Sequence, residues 1–239
     1  MAAIDALLDQ MEELGFTPAE MNIFLSLKLR ERTERLADLK VAVVECNPET
    51  LSQLSDQLRG LEGVGAAAYF GVFDEMILNR KEAFFFHGRN RRPALDRVNA
   101  MLSFAYSLLA HDCASALECV GLDAYVGFLH TDRPGRDSLA LDLMEELRPC
   151  MADRFVLTTI NNRMLRPEDF QTQSSGAVLL TDDGRRSFLK AWQEKKRETL
   201  THPYLGEKLA WGMIPYVQAL LLARHLRGDL DAYPPFLWK

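Results

Sequence analysis

With 239 residues, 48% of them hydrophobic and 26% charged, the chain has the composition of a soluble globular protein, either one large domain or a small one joined to a larger one. It contains no apolar run of the roughly 18 residues a membrane helix requires, and no charged-then-apolar leader ahead of a cleavage site. A net charge of −6 weighs against nucleic acid as a partner, which favours basic proteins.

Charge is nevertheless uneven along the chain. Arg80, Lys81, Arg89, Arg91, Arg92 and Arg97 form one basic cluster, and Arg185, Arg186, Lys190, Lys195, Lys196 and Arg197 form another. Read alone, each cluster is a solvated face. Cys46, Cys113, Cys119 and Cys150 make no CxxC pair, so a reducing cytoplasm explains them as small core residues. The expected location is cytoplasmic, with no membrane association.

Apolar spacing is helical nearly throughout. A first helix is predicted through AAIDALLDQMEEL, breaking at Gly15. Thr17 and Pro18 open a second through about Leu36. VAVVECNPE fits either a short strand or a buried helix end, after which Asn47-Pro48 starts a helix toward Arg59. From Gly60 to Leu78 a helical wheel puts Leu58, Glu62, Ala66, Tyr69 and Phe73 on one face. Glu62 therefore falls in an apolar stripe, where a carboxylate must be paired, protonated or metal-bound. Glycines at 60, 63, 65 and 71 weaken that helix.

A long helix is predicted from Leu95 to about Val120, stopping at Gly121. Asn99, Ser103 and Tyr106 line up on it as a polar strip, readable as an internal hydrogen-bond network or as a wall of an active site. The next helix, Ser138 to Leu147, sets leucines and Met144 toward the inside and Ser138, Asp142, Glu145 and Glu146 opposite. Taken by itself, that acidic row is a solvated face. Pro149 is expected to end or kink the helix. ADRFVLTTINNRML reads as helical, and SSGAVLLTDDGRRSFLKAW as a small hairpin about an Asp-Gly turn. Two helices follow, one through Lys195 and one from about Leu205 to Arg227. The aromatic, proline-rich YPPFLWK is too stiff for a helix and apolar enough to dock on the body. The fold class is all-α, a multi-helix catalytic domain with at most one small β-hairpin around residues 175–185.

Glu62, His130 and a carboxylate of the Asp142–Glu146 helix make a mixed oxygen and nitrogen donor set, which suits manganese and accommodates magnesium. Such an ion activates a hydroxyl nucleophile and polarises a phosphoryl oxygen, which points to phosphate esters. Judged without further context, a lone histidine ending an apolar run is more simply a satisfied core histidine.

Four blocks in order, LRGLEGVGAAAYF, RRPALDRVNAMLSFAYSLL, GLDAYVGFLH and SLALDLMEELRP, resemble the CRISPR-associated integrase family (the "Cas-one" proteins). The resemblance covers roughly Leu51 to Lys239, and the final YPPFLWK resembles the family's type I-C branch. It implies a metal-dependent DNA endonuclease and integrase of CRISPR adaptation, using Mn²⁺ or Mg²⁺ for attack of a 3′-hydroxyl on a phosphodiester. By motif it implies Glu62, His130 and Glu145 as metal ligands, Asp142 as an accessory acid, and supporting roles for Asn99 and Tyr106. Glu146 is turned aside and left out. Arg89, Arg91, Arg92, Arg185 and Arg186 would hold DNA phosphates. Implied partners are double-stranded DNA, a second copy of the chain, and the small companion "Cas-two" protein.

The chain departs from the family pattern in showing no N-terminal β-domain, so residues 1–50 are read as a helical segment of poor match and residues 51–239 as the catalytic domain. That departure puts dimerisation and integration in question and leaves the metal site standing, in a chain that is either a fragment or a natural short form, with a truncated or inactive enzyme among the readings. Two other readings compete: an all-α metal-dependent phosphodiesterase on nucleotides, and a non-catalytic all-α interaction module.

Overall fold

The computed structural model describes residue 60, residues 63–131 and residues 133–238. The predicted helices before Gly60, the VAVVECNPE segment, Leu58 and Glu62 lie outside the described residues.

Helix α1 runs over residues 63–71 despite its glycines, followed by a 3₁₀ turn at Phe73–Met76. Tertiary burial overrides their weak propensity: Phe73 is fully buried against Tyr69, Phe70 and Phe86. Helix α2, Arg97–Cys119, is the central element. Its start follows from chemistry rather than periodicity, because the Asp96 carboxylate accepts from the Asn99 N–H at 2.7 Å and caps the first turn. Its stop is the expected one, with Gly121 at φ +80°. Val98, Met101, Leu102, Ala105, Leu109, Cys113 and Leu117 repeat at helical steps and are all buried. Cys113 is thus a core residue, whereas Cys119 is exposed.

Around α2 pack α3 (Ser138–Leu147), a π-helical turn (Arg148–Asp153), α4 (Arg154–Asn161) and α6 (Ile214–Leu226). Pro149 does not end α3. It lacks the N–H for an ordinary helical bond, and the widened turn closes instead with the Arg154 N–H on the Pro149 carbonyl. One helical run therefore spans residues 138–161. It stops at Asn161, short of the predicted Leu165, where Arg163 takes φ 56°.

Among the described residues the fold is mostly α with two small antiparallel hairpins, one more than expected. In the first, β1 (Phe170–Thr172) pairs with β2 (Val178–Leu180) across a turn at Gly176, φ +82°. The predicted Asp-Gly turn is instead the first turn of α5, Asp182–Arg197, capped by Thr181 Oγ1 accepting from the Gly184 N–H at 3.1 Å. Gly184 is needed there for close approach, since a Cβ would lie 2.9 Å from that of Asp169. The second hairpin, β3 (Thr199–Thr201) with β4 (Lys208–Ala210), falls where α6 was expected to begin. Pro203 and Gly206 (φ +70°) break the helix there, and α6 starts only at Ile214 with Pro215 in its first turn. The C-terminal tail docks as expected, burying Tyr233 and Phe236.

Candidate functional site

The acids of α3 face inward. Asp142, Glu145 and Glu146 are at most 3% exposed, contrary to the solvated face their spacing suggests. Each goes to a different place. Asp142 is wrapped by the GFLH loop: Phe128 N and Leu129 N donate to Oδ2 at 2.5 and 2.8 Å, and His130 N donates to Oδ1 at 3.0 Å. The same Oδ1 lies 2.7 Å from Nδ1 of His130. Both carboxylate oxygens are consumed by the loop, and the imidazole is fixed with Nε2 left over. Gly127 is what lets the loop lie so close, because a Cβ there would sit 2.7 Å from both the His130 carbonyl oxygen and Ser138 Cβ.

Glu145 pairs through Oε1 with the Arg148 guanidinium one turn later. Its Oε2 is buried with no hydrogen-bond partner among the described residues. Glu146 turns the opposite way. It accepts from Gln218 Nε2, Tyr233 Oη and the Phe236 N–H at 2.8 Å, and so anchors the C-terminal tail. Burial lifts its pKa to about 7, against the pull of those hydrogen bonds.

In front of His130 opens a cleft of about 780 Å³. Among the described residues its walls carry Arg89, Arg91, Arg92, Arg133, Arg136 and Arg148, together with His130, Tyr106 and Ser103, and no carboxylate. A chain of net charge −6 thus concentrates positive charge in one concavity. Arg133 and Arg136 come from the Pro-Gly turn after His130, and Arg148 from the π turn. None of the three is among the sequence-predicted DNA-binding residues, and the basic pair flanking Pro134-Gly135 is the one local signal for Arg133 and Arg136. Arg185 and Arg186 do not line the cleft. They stand exposed on the first turn of α5, paired with Asp182 and Asp183.

The polar strip of α2 divides between its two readings. Asn99 is fully buried and saturated: Nδ2 donates to Gly88 O and Asp96 Oδ2, while Oδ1 accepts from Arg89 Nη1 and Asn90 N. Ser103 accepts from Arg89 Nη2 at 3.1 Å, so the strip holds Arg89 in place. Tyr106 is part of the cleft wall. The guanidinium carbons of Arg148 and Arg89 lie 4.9 and 5.2 Å from its ring centroid, within cation–π range. Its hydroxyl donates to Asp153 at 2.5 Å.

Among the described residues no three His, Cys, Asp or Glu side chains gather as a metal cluster, and Glu62 lies outside them. The residues in hand fit a divalent cation in two respects. His130 offers one oriented nitrogen, and Glu145 a buried oxygen without a partner. A buried carboxylate oxygen with no hydrogen bond among the described residues is costly, and a cation beside it would offset that cost.

The sequence model for CRISPR associated protein Cas1 matches residues 19–194. A CRISPR-associated endonuclease Cas1 of Rhodospirillum rubrum is 60% identical over 185 residues, covering 77% of this chain and 54% of that protein. The chain therefore spans about half the length of that relative. A solved Cas1 protein from Thermotoga maritima superposes with a TM-score of 0.67 at 26% identity, over 88% of this chain and 65% of that one. A casposase bound to integration product shares the fold, with a TM-score of 0.68 at 24% identity over 90% of this chain and 67% of the casposase. With the family model matched over most of its length and a relative 60% identical over 185 residues, the chain belongs to the CRISPR-associated Cas1 family.

Proposed function

We propose that this chain carries the catalytic machinery of a metal-dependent DNA endonuclease and strand-transfer enzyme of CRISPR adaptation. The observation that carries the reading is the oriented His130 on the wall of a cleft that holds six arginines among the described residues, one of which, Arg148, pairs with the buried Glu145. The endonuclease name of the Rhodospirillum rubrum relative supports it.

In this reading Glu62, His130 and Glu145 hold Mn²⁺ or Mg²⁺, which supplies Lewis acidity to a hydroxyl and to a phosphoryl oxygen. Asp142 is not a ligand but the acid that sets the imidazole, because its own oxygens are already engaged. The arginines neutralise the phosphates flanking the scissile bond and orient the strand without reading bases. A 3′-hydroxyl (or water, for simple cleavage) gives up its proton as it forms the new P–O bond. The old P–O bond breaks in line, and the departing oxygen takes a proton. Double-stranded DNA, a second copy of the chain and the small Cas-two protein are the proposed partners.

The test is manganese-dependent nicking of labelled DNA by the wild type and by H130A, E145A and E62A. Loss of nicking in all three supports the ligand set, and full activity in any one removes that residue from it. Hydrolysis of small nucleotide phosphodiesters with no dependence on DNA length would favour the nucleotide phosphodiesterase instead. A melting temperature unmoved by millimolar manganese would favour a non-catalytic module.

A further inference from the structure

Asp153 has no part in the mechanism above, does not line the cleft, and carries no sequence signal. It is fully buried at the last residue of the π turn. Two tyrosines from different helices donate to it: Tyr106 of α2 at 2.5 Å and Tyr69 of α1 at 2.9 Å. We propose that Asp153 is a positioning residue, a buried anion that fixes Tyr106 through its hydroxyl as the platform from which Arg148 and Arg89 reach DNA phosphates. The proposal rests on the DNA-binding reading of the cleft.

Three physical arguments carry it. Two guanidinium groups share the Tyr106 ring, at 4.9 and 5.2 Å, and their mutual repulsion is reduced by a nearby anion. Asp153, at the tyrosine hydroxyl, supplies one to both, beside the Glu145 that pairs with Arg148 alone. A phenol donating to a carboxylate also gains electron density in the ring, which strengthens its attraction for both cations. Geometry ties the turn together as well: the π turn begins at Arg148 and ends at Asp153, so its two ends meet one tyrosine, one at the ring and one at the hydroxyl. Arg148 is also held by its pair with Glu145. Burial lifts the carboxyl to about 6, so keeping it ionised at neutral pH works against stability. A costly buried charge next to a cleft is better explained by the cleft than by the core.

The experiment compares the full chain with D153N, Y106F, D153N/Y106F and T159A. Thr159 is buried on α4, its hydroxyl donating to the Phe155 carbonyl of the same helix, and reports what plain destabilisation does. At pH 8 we expect D153N to melt no lower than wild type, yet to raise the Kd for a labelled duplex and the KM for cleavage about five- to thirtyfold, the span of one or two cation–π contacts. The kcat should stay within about twofold, since phosphate binding is uniform between ground and transition states. Y106F should match D153N and the double variant should be no worse, while T159A should lose melting temperature and keep its Kd. An unchanged Kd in D153N, additive Kd effects in the double variant, or weakening by T159A equal to that by D153N would each overturn the proposal. If wild type binds no DNA at all, the DNA reading fails on its own account. The positioning claim is then decided by urea midpoints of Y106F, R148Q and their double variant, where coupling sustains it and additivity overturns it.

Discussion

Nδ1 of His130 stands 2.7 Å from Oδ1 of Asp142, and the two carboxylate oxygens of that aspartate also collect the backbone N–H groups of Phe128, Leu129 and His130. One buried acid therefore sets both the path of the loop and the direction of the ring. The arrangement is the familiar one in which a carboxylate behind a histidine fixes the nitrogen available to a metal.

Because Asp142 accepts so many bonds, D142A should cost about 3–5 kcal/mol of stability, the range for orphaning buried partners. D142N keeps the volume but gives one oxygen's place to an NH₂ that meets N–H donors. We expect it to lower manganese affinity about 10- to 100-fold. The manganese dependence of the melting temperature, read against urea unfolding, separates the two effects. Equal manganese affinity in D142N and wild type would contradict the role given to Asp142.

Gly127 is a backbone prediction. A Cβ would press on the His130 carbonyl and Ser138 at 2.7 Å, both part of structure that cannot easily yield. G127A should lift the GFLH loop off α3 and abolish metal-dependent nicking, with amide exchange increased at residues 127–130. G135A provides the contrast: it meets nothing within 4 Å, so its cost is only the φ of +71°.

Adjacent acids should respond oppositely to substitution. E145Q weakens the buried pair with Arg148, so folding should lose about 1–3 kcal/mol, while the manganese-induced rise in melting temperature disappears. E146A strips the acceptor from Tyr233, Gln218 and Phe236, and should loosen the tail and destabilise by several kcal/mol, on the order of 3. Its manganese shift should persist. A reversed pattern would mean that the two side chains have been assigned to the wrong sides of α3.

Stability should rise on mild acidification because of Glu146 and Asp153. Burial raises their folded pKa values to about 7 and about 6, above the ordinary 4.5 and 3.8. The folded state then binds more protons than the unfolded state between those limits. The contribution is fully present below the unfolded pKa and is lost as pH rises through the folded one. Each pKa unit corresponds to about 1.4 kcal/mol, so the change amounts to a few kcal/mol between roughly pH 4 and 7. Urea unfolding of E146Q and wild type across that range isolates the Glu146 part, and parallel pH profiles would refute it.

Arginines of the cleft and of α5 should separate in a salt titration of DNA binding. Removing one phosphate contact lowers the slope of log K against log salt by about 0.9. R136Q should show that drop. R185Q and R186Q should not, since those side chains stand on another helix and pair with Asp182 and Asp183.

Much of the scaffold was legible because its signals are local. The periodicity of α2, its stop at Gly121, and the docking of an apolar tail follow from spacing and from backbone limits that act within a few residues. Helix boundaries were less so. Thr181 and Asp96 cap through single hydrogen bonds, and Asp182–Gly184 supports a hairpin turn or a helix start equally well until Asp169 packs against Gly184. The row of acids on α3 misled for a related reason. Amphipathic spacing assumes one wet face, whereas this helix is enclosed by the GFLH loop on one side and by α6 and the tail on another.

From the sequence alone came the family resemblance, the histidine and acids as candidate ligands, and a mostly helical fold, because each depends on residue identity and short-range order. Tertiary structure decided the separate fates of Asp142, Glu145 and Glu146, the recruitment of Arg133, Arg136 and Arg148 to one cleft with Arg89, and the burial of Asp153 beneath Tyr106. Those outcomes depend on which elements pack together, and a side chain's partners across 12 to 90 residues of chain are set by the fold and not by its neighbours in sequence.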